Sequence, residues 1–484
     1  MTYHVAIDIG ASSGRVILGK TAGKLEIKEI HRFKNGFTKR NGHDRWNINH
    51  LIDEIFLGLE KVKSCGVDTC TIGIDTWAVD YVLLDENDDL LANPIAYRDA
   101  RTKDVMDKVF KKLSKNDIYQ KTGIQFLNFN TLYQLCAEDR ELLAKAKTIL
   151  MIPDYIAYRL TGKKVGEVTN ASTTQYLNIH SRSYDKDLLN LAGVDSGKLP
   201  ELIETGEVIG KLYSDLYAKY DLPEATVVAV ATHDTASAVV GVPAVNKNWA
   251  YLSSGTWSLI GVENHDSLLS QAALEHNYTN EWGAYKTYRF LKNITGMWAV
   301  QEIARMLDYR YTFAEMAEQA YQVEPFLQYV NLNDDRFTNP ENMIVEIQSY
   351  CRESGQIVPE TVGELVMCVY SNLALAYAHE WTVLEKLIGH KLEVLHIVGG
   401  GSNVKLLNQL TADVIGKPVV AGSGEATALG NIMVQMMTSG EFHDLKEARE
   451  WLSKQGTFER YEPRPIADRS HLEIYKKTVL KNRG

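Results

Sequence analysis

Cysteine is scarce in this chain and forms no pattern: five residues in 484, at positions 65, 70, 136, 351 and 368, an odd number with no C-x-x-C pair. Such spacing points to neither a zinc site nor a disulfide framework, and the thiols are read as free in a reducing compartment. Long apolar runs are missing as well. No stretch approaches the roughly 20 residues that cross a bilayer, and strand-like sequence is under way by Tyr3 with no basic, apolar leader ahead of it. A cytoplasmic protein without membrane attachment is expected. Positive charge is in deficit, 52 Lys and Arg against 62 Asp and Glu, for a formal net charge of -10. That argues against a nucleic-acid partner, whose affinity comes from clustered cations. A small phosphorylated ligand stays admissible, because local amides, a helix N-terminus or a bound cation suffice to hold it. The two common nucleotide signatures are absent: "GASSGR" (Gly10 to Arg15) lacks the G-x-G-x-x-G spacing and the Gly-Lys-Ser/Thr ending, and it leads into strand-like sequence instead of a helix.

With 45% hydrophobic and 24% charged residues the composition is that of a folded globular protein. The length exceeds what one hydrophobic core supports, so two domains are expected. Val5, Ile7 and Ile9 alternate, a glycine turn follows at Gly10 to Gly14, and apolar residues resume at Val16 to Leu18. This predicts an antiparallel meander with "LEIKEI" as its third strand. Leu51, Ile55, Leu59 and Val62 recur at helical spacing with Gly66 beyond the end. Strands and helices then alternate, which indicates the α/β class. "VAIDIGASSGRVILG" is echoed by "WAYLSSGTWSLIGV" (Trp249 to Val262), each running strand, Ser-Ser-Gly turn, strand. A duplicated domain accounts for both echo and length, with halves at 1–242 and 243–484. A third glycine cluster, "LHIVGGGSNVKLLNQL", is predicted as strand, bare loop at Gly399 to Gly401, N-cap at Ser402 or Asn403, and a helix closed by Gly416 and Pro418. Three glycines at a helix start suit close approach by a nucleotide, and a plain strand-to-helix connection explains them equally well.

Asp234 stands at the end of the apolar run "ATVVAVATH" and before "TASAVV". For an isolated Asp in this setting a helix N-cap is the first assignment. The second is a general base at the carboxyl end of a central strand, where α/β sheets place ligands. His233, beside it, is either a substrate contact or an ordinary satisfied histidine. Asp8 ends the first strand ahead of the turn and is a candidate for water-mediated magnesium, with Arg15 as a nearby fixed cation; a turn-stabilising Asp is the alternative. "GIDTWAVDYVLLD" sets Asp75 and Asp80 among apolar residues, where acids require a polar ligand or an ion pair. Trp77 is either a platform for a sugar's C–H face or core.

Taken in order, "AIDIGASSGR", "GIDTWAVD", "YRDART", "DYIAYRLTG", "TNASTT", "THDTASAV", "LSSGTWSL", "IVGGGSN" and "EATALGN" resemble the FGGY carbohydrate kinases, relatives of actin and hexokinase, over residues 4 to about 435. The resemblance implies two ribonuclease-H-like α/β domains with ATP and sugar in the cleft between them. Stretches such as "IDTWAVDYVLLD", "LKNITGMW" and "NDDRFTNPE" are most similar to the branch that converts ATP and L-rhamnulose to ADP and L-rhamnulose 1-phosphate. By that resemblance Asp234 is the catalytic base. His233, Thr235, Ala78 and Asn293 contact the sugar, and Ala11, Ser12, Ser13, Gly14, Arg15, Thr256, Gln301 and Gly400 meet ATP. Asp8 sits near Mg2+. Two departures stand out. Ala78 replaces a Gly common in that branch, and "NTLYQ" (Asn130 to Gln134) replaces a Lys and a Trp found in many family members. The rival readings are a kinase for another ketose, such as L-fuculose or L-xylulose, and a non-catalytic ATP-binding sensor or actin-like assembly protein. The sequence after about residue 440 is read as a helix and an extended tail without an assigned function.

Overall fold

The opening segment folds as its alternation predicts. Thr2–Ile9 pairs antiparallel with Ser13–Thr21, Asp8 opposite Arg15, and Ser13–Thr21 pairs antiparallel with Leu25–Lys34. On its other side Thr2–Ile9 runs parallel to Thr69–Thr76, which places Asp8 beside Asp75, and Glu224–Val228 adds a further parallel strand. Val208–Lys211 closes this edge of a six-stranded sheet. Three parallel strands thus bring their carboxyl ends, at Ile9, Thr76 and Val228, to one rim. These observations come from a computed structural model that describes residues 2–21, 23–338, 340–422, 424–455, 458–465 and 470–480.

The chain divides into two units, each assembled from three stretches: Met1–Gly241, Glu263–Phe290 and Ala426–Gln455 in the first, Val242–Val262, Leu291–Glu425 and Gly456–Gly484 in the second. In the first, the helix Ile48–Ser64 lays Leu51, Ile55, Leu59 and Val62 on one face of the sheet against Val5 and Ile7. Each fully buried side chain of this size contributes roughly 1.5–3 kcal/mol. Asn47 caps the helix start by accepting from His50 N, and Gly66, at φ 84°, takes the left-handed turn after its end. The opposite face is covered by the helix Ala426–Thr438, whose Ala428, Ile432 and Met436 pack on Ala6 and Ile17. That helix also meets Asp234–Val240 at glycines: a Cβ on Gly430 would lie 1.8 Å from Ser237 O, and one on Gly241 2.3 Å from Ala426 O. Backbone therefore touches backbone where the two helices cross, and the Ser237 hydroxyl donates to Thr427 O at 2.9 Å.

The second unit repeats the opening topology. Trp249–Ser254 and Trp257–Asn264 pair antiparallel, with Ser254 opposite Ser258. Trp249–Ser254 also runs parallel to Val394–Val398, followed by parallel Val419–Ala421 and antiparallel Glu459–Tyr461. The Ser-Ser-Gly echo thus marks the same local topology in each unit. The extended tail beyond 440 supplies that last edge strand, after a helix at Leu445–Ser453. The third glycine cluster departs from expectation. A short turn of 3-10 helix occupies Gly400–Asn403, and the helix Lys405–Ile415 begins after Val404, so neither Ser402 nor Asn403 is its N-cap. The Ser402 hydroxyl instead donates back to Gly399 O at 2.7 Å. Gly416, at φ 67°, ends the helix as predicted. Among the described residues no helix is long and apolar enough to cross a membrane.

Candidate active site

In the first unit the turn after Thr2–Ile9 is closed by Gly10 N donating to Ser13 O at 2.9 Å. Asn35, which sequence reasoning missed, clamps it twice: its backbone N donates to Ser12 O at 3.0 Å and its Nδ2 to Gly10 O at 2.8 Å. Ser12 is exposed and Ala11 and Ser13 are half-buried, so the turn presents an open surface. Arg15 Nη2 donates to Asp8 Oδ2 at 2.5 Å, which joins the two sequence candidates in one ion pair. Asp75, beside Asp8 on the ladder, has no accessible surface. Asn431 Nδ2 donates to its Oδ2 at 2.6 Å, while Oδ1 has no hydrogen-bond partner among the described residues. Burial and the Asp8 charge push the Asp75 carboxyl well above the usual carboxylate range. Of the polar ligand or ion pair expected for this acid, no ion pair is present among the described residues; an amide is its partner instead.

Asp80 corrects the expectation in another way. It is buried and held by neutral donors only: Trp46 Nε1 at 2.6 Å, Trp77 Nε1 at 3.0 Å and Tyr97 N at 3.1 Å on Oδ2, and Gln134 Nε2 at 3.0 Å on Oδ1. Burial raises its carboxyl to about 6 against those four donors. Trp77 is accordingly core, 6% exposed, with its indole N–H committed to Asp80. Between them Val79 adopts φ 68°, a left-handed conformation that a β-branched residue takes at a cost of about 1–3 kcal/mol. Thr131 Oγ1 and Gln134 Nε2 donate to Val79 O at 2.7 and 3.1 Å. The "NTLYQ" departure therefore has a structural role: it holds the bent backbone next to half-buried Ala78.

Asp234 is the first residue of the helix Asp234–Val240, and the N-cap is His233, whose side chain caps nothing. The capping assignment is corrected to that extent. Asp234 Oδ1 accepts from Thr235 N at 2.6 Å, and Oδ2 has no hydrogen-bond partner among the described residues. The side chain keeps 31% of its surface accessible. Burial raises the carboxyl, His233 works against that, and Asp8 adds to it. Upstream, Thr232 is tied to fully buried Glu167, which accepts from Thr232 N and Oγ1 at 3.1 and 2.8 Å and also from the hydroxyls of Thr169 and Thr205. Thr76 N donates to Thr232 O at 2.8 Å, so the approach to Asp234 is fastened to the sheet rim. Beyond it lies a cluster that the motifs did not flag. Arg289, with no accessible surface, donates to Thr235 Oγ1 at 2.9 Å and to Glu281 Oε2 at 2.7 Å, and its Nη2 lies 3.0 Å from His233 Nδ1. An arginine inside the apolar strand sequence "YRFL" was the available signal.

In the second unit the remaining nucleotide candidates gather where Trp249–Ser254 ends. Thr256 Oγ1 donates to Gln301 Oε1 at 3.1 Å, and Met297 N donates to Gly255 O at 2.8 Å. Gly399, at φ 83°, and Gly401 pack on Ser254, whose Oγ would lie 2.0 Å from a Cβ on Gly401; Gly400, between them, is exposed with nothing within 4 Å of its Cβ position. Asn293 lies half-buried on the strand Tyr288–Thr295. The structure thus brings Asp8, Arg15, His233, Asp234 and Thr235 to one rim of the first unit, and Thr256, Gln301 and Gly400 to one strand end of the second. Among the described residues no group of three His, Cys, Asp or Glu is placed to hold a metal ion. Asp8 offers one carboxylate, a number magnesium accepts when substrate phosphates and water complete its shell.

Known proteins match this chain along its whole length. Residues 3–241 match the N-terminal domain of the FGGY family of carbohydrate kinases and residues 250–439 its C-terminal domain. A rhamnulokinase of Ligilactobacillus salivarius is 54% identical over 485 residues, covering 100% of both chains. One of Bacillus subtilis is 53% identical, covering 99% of each. Among solved structures, ligand-bound xylulose kinase from Lactobacillus acidophilus superposes with TM-score 0.79 at 18% identity, over 99% of this chain and 96% of that one. Plasmodium falciparum glycerol kinase with ADP gives 0.80 at 16%, over 100% and 97%. At such identities the structural likeness shows the fold alone: two α/β domains of the actin and hexokinase type. The matches at both halves and the full-length identities above one half lead to one assignment: the chain belongs to the FGGY family of carbohydrate kinases.

Proposed function

We propose that this carbohydrate kinase transfers the γ-phosphoryl group of ATP to O1 of L-rhamnulose, giving L-rhamnulose 1-phosphate and ADP. The full-length relatives called rhamnulokinase support the choice of sugar. The observation that carries the chemistry is the carboxylate of Asp234, partly accessible and with one oxygen free of hydrogen bonds among the described residues. In this reading that oxygen accepts the O1 proton as O1 bonds to the γ-phosphorus and the bond to the ADP oxygen breaks. His233, Thr235, Asn293 and the backbone at Ala78 orient the sugar. The turn from Ala11 to Arg15, with Thr256, Gln301 and Gly400, holds the nucleotide, so positioning and charge stabilisation supply most of the rate. Magnesium, carried with ATP, neutralises phosphate charge when bound, and Asp8 is the residue assigned to it. Residues 1–242 and 243–484 are the proposed functional halves, the first with the base, most of the sugar contacts and the turn from Ala11 to Arg15, the second with Asn293 and the nucleotide contacts Thr256, Gln301 and Gly400. The five cysteines are free thiols, in keeping with a cytoplasmic site of action. ADP release measured over L-rhamnulose, L-fuculose and L-xylulose tests the reading: the highest kcat/KM is expected with L-rhamnulose, and a higher value with another ketose overturns the choice of substrate.

A further inference from the structure

Arg289 is fully buried, and a buried guanidinium must find partners for its charge and for its donors. Glu281 answers the charge at 2.7 Å. Two further donors go to the residues flanking Asp234, Nη1 to Thr235 Oγ1 at 2.9 Å and Nη2 to His233 Nδ1 at 3.0 Å, while Nε has no hydrogen-bond partner among the described residues. A guanidinium has five N–H donors and no acceptor, so the imidazole nitrogen facing it presents a lone pair. Glu281 Oε2 also lies 3.3 Å from that Nδ1. The shorter contact is to the obligate donor, and the carboxylate is already served by the guanidinium. With Nδ1 as acceptor the ring proton is on Nε2, and Nε2 is the nitrogen 3.1 Å from Thr235 Oγ1 and 3.5 Å from Asp234 Oδ1. Thr235 Oγ1 then receives from both Arg289 and His233, which leaves its own hydroxyl proton to donate.

We propose that Arg289 is a positioning residue for this site: by donating to His233 Nδ1 and Thr235 Oγ1 it fixes His233 as the Nε2–H tautomer, whose N–H goes to Thr235 Oγ1, and so leaves the Thr235 hydroxyl proton to donate toward a sugar hydroxyl oxygen beside Asp234. Glu281 is the counter-ion that keeps the guanidinium in this pose instead of against Asp234. The inference rests on the reading of the chain as a sugar kinase acting through Asp234. Its test combines Arg289→Met and Arg289→Lys with 15N NMR of histidine-labelled protein, the His233 signals being assigned by loss in His233→Gln. Wild type is expected to show His233 as a single Nε2–H tautomer. In Arg289→Met that signature is lost and kcat/KM for the sugar falls on the order of 10²-fold, while KM for ATP stays within about twofold. Arg289→Lys, which keeps the charge but not the fork, is expected to fall between. A folded Arg289→Met with an unchanged tautomer, or with sugar kinetics within about threefold of wild type, overturns the proposal. An Nδ1–H tautomer in wild type overturns it without any variant, which covers the case of a variant that does not fold. Failure of wild type to phosphorylate any ketose refutes the proposed function instead, and the tautomer still decides the role of Arg289.

Discussion

Gly430→Ala tests whether the crossing of two helices sets the position of Asp234. In an unencumbered helix interior this change stabilises by about 1 kcal/mol, because glycine carries the larger backbone entropy. Here the added methyl meets Ser237 O at 1.8 Å, Ser237 C at 2.7 Å and Gly241 N at 2.9 Å. All three are backbone atoms of the helix Asp234–Val240 or its end, so no rotamer change relieves the contact. Restoring ordinary contact requires the helices to separate by on the order of 1.5 Å, and overpacking of this kind costs about 1–3 kcal/mol or more. The clash exceeds the helical gain, and net destabilisation of about 1–2 kcal/mol is expected in urea unfolding. Because Asp234 begins the displaced helix, kcat with saturating sugar and ATP is expected to drop about 10²-fold, the loss that an ångström of misplacement brings. A variant with unchanged or raised stability and wild-type kcat refutes the reasoning, since it shows that the crossing has slack to absorb a methyl group.

Asp234→Asn is expected to lower kcat by roughly 10²–10⁴-fold while ATP binding by calorimetry stays close to wild type; near-normal turnover removes Asp234 as the base. As the Asp234 carboxyl is raised by burial, it is protonated, and the base lost, as pH falls, so the acid limb of kcat/KM is expected above the ordinary carboxylate range. Glu281→Gln breaks a buried pair and is expected to cost about 3–5 kcal/mol in denaturant unfolding. Burial pushes the Glu281 carboxyl up, but the Arg289 guanidinium beside it more than reverses this and holds it at about 2. A depressed folded-state value stabilises above the unfolded one, so wild type is expected to lose about 3 kcal/mol as pH falls from roughly 4.5 toward 2, and the variant to lack that slope. In Asp80→Asn the new amide faces Gln134 Nε2, and Gln134 cannot flip freely while its Oε1 accepts from Arg101 Nη2 at 2.9 Å. A loss of about 1–3 kcal/mol by thermal unfolding is expected, and an unchanged midpoint contradicts the four-donor description.

The frame around the candidate site was legible from spacing alone, whereas its residues were named through the family resemblance. The alternation at Val5, Ile7 and Ile9 specified the meander that sets Asp8 opposite Arg15, and the helical spacing from Leu51 to Val62 specified the helix behind it. Local periodicity suffices there because one face of each element must be buried. Arg289, Glu281, Asn35 and Glu167 escaped notice because their partners are remote in sequence: Arg289 meets His233 across 56 residues and Glu167 meets Thr232 across 65. Trp77 was ambiguous for the same reason. Whether an indole is core or a sugar platform depends on what faces its N–H, and that proved to be Asp80, itself shared with Trp46 from 34 residues away.

Sequence by itself determined the class of this protein: ordered glycine turns, strand-end acids and a repeated Ser-Ser-Gly hairpin can be read without coordinates, because turn chemistry and burial period are local. Tertiary structure decided which acids are available. Asp75, Asp80 and Asp234 look alike as carboxylates at strand ends, yet packing gives Asp75 an amide, Asp80 four neutral donors, and Asp234 a partly accessible side chain whose Oδ2 has no partner among the described residues. The reason is that a carboxylate's chemistry is set by the donors and solvent within a few ångströms, and the chain brings those from positions that no local pattern connects.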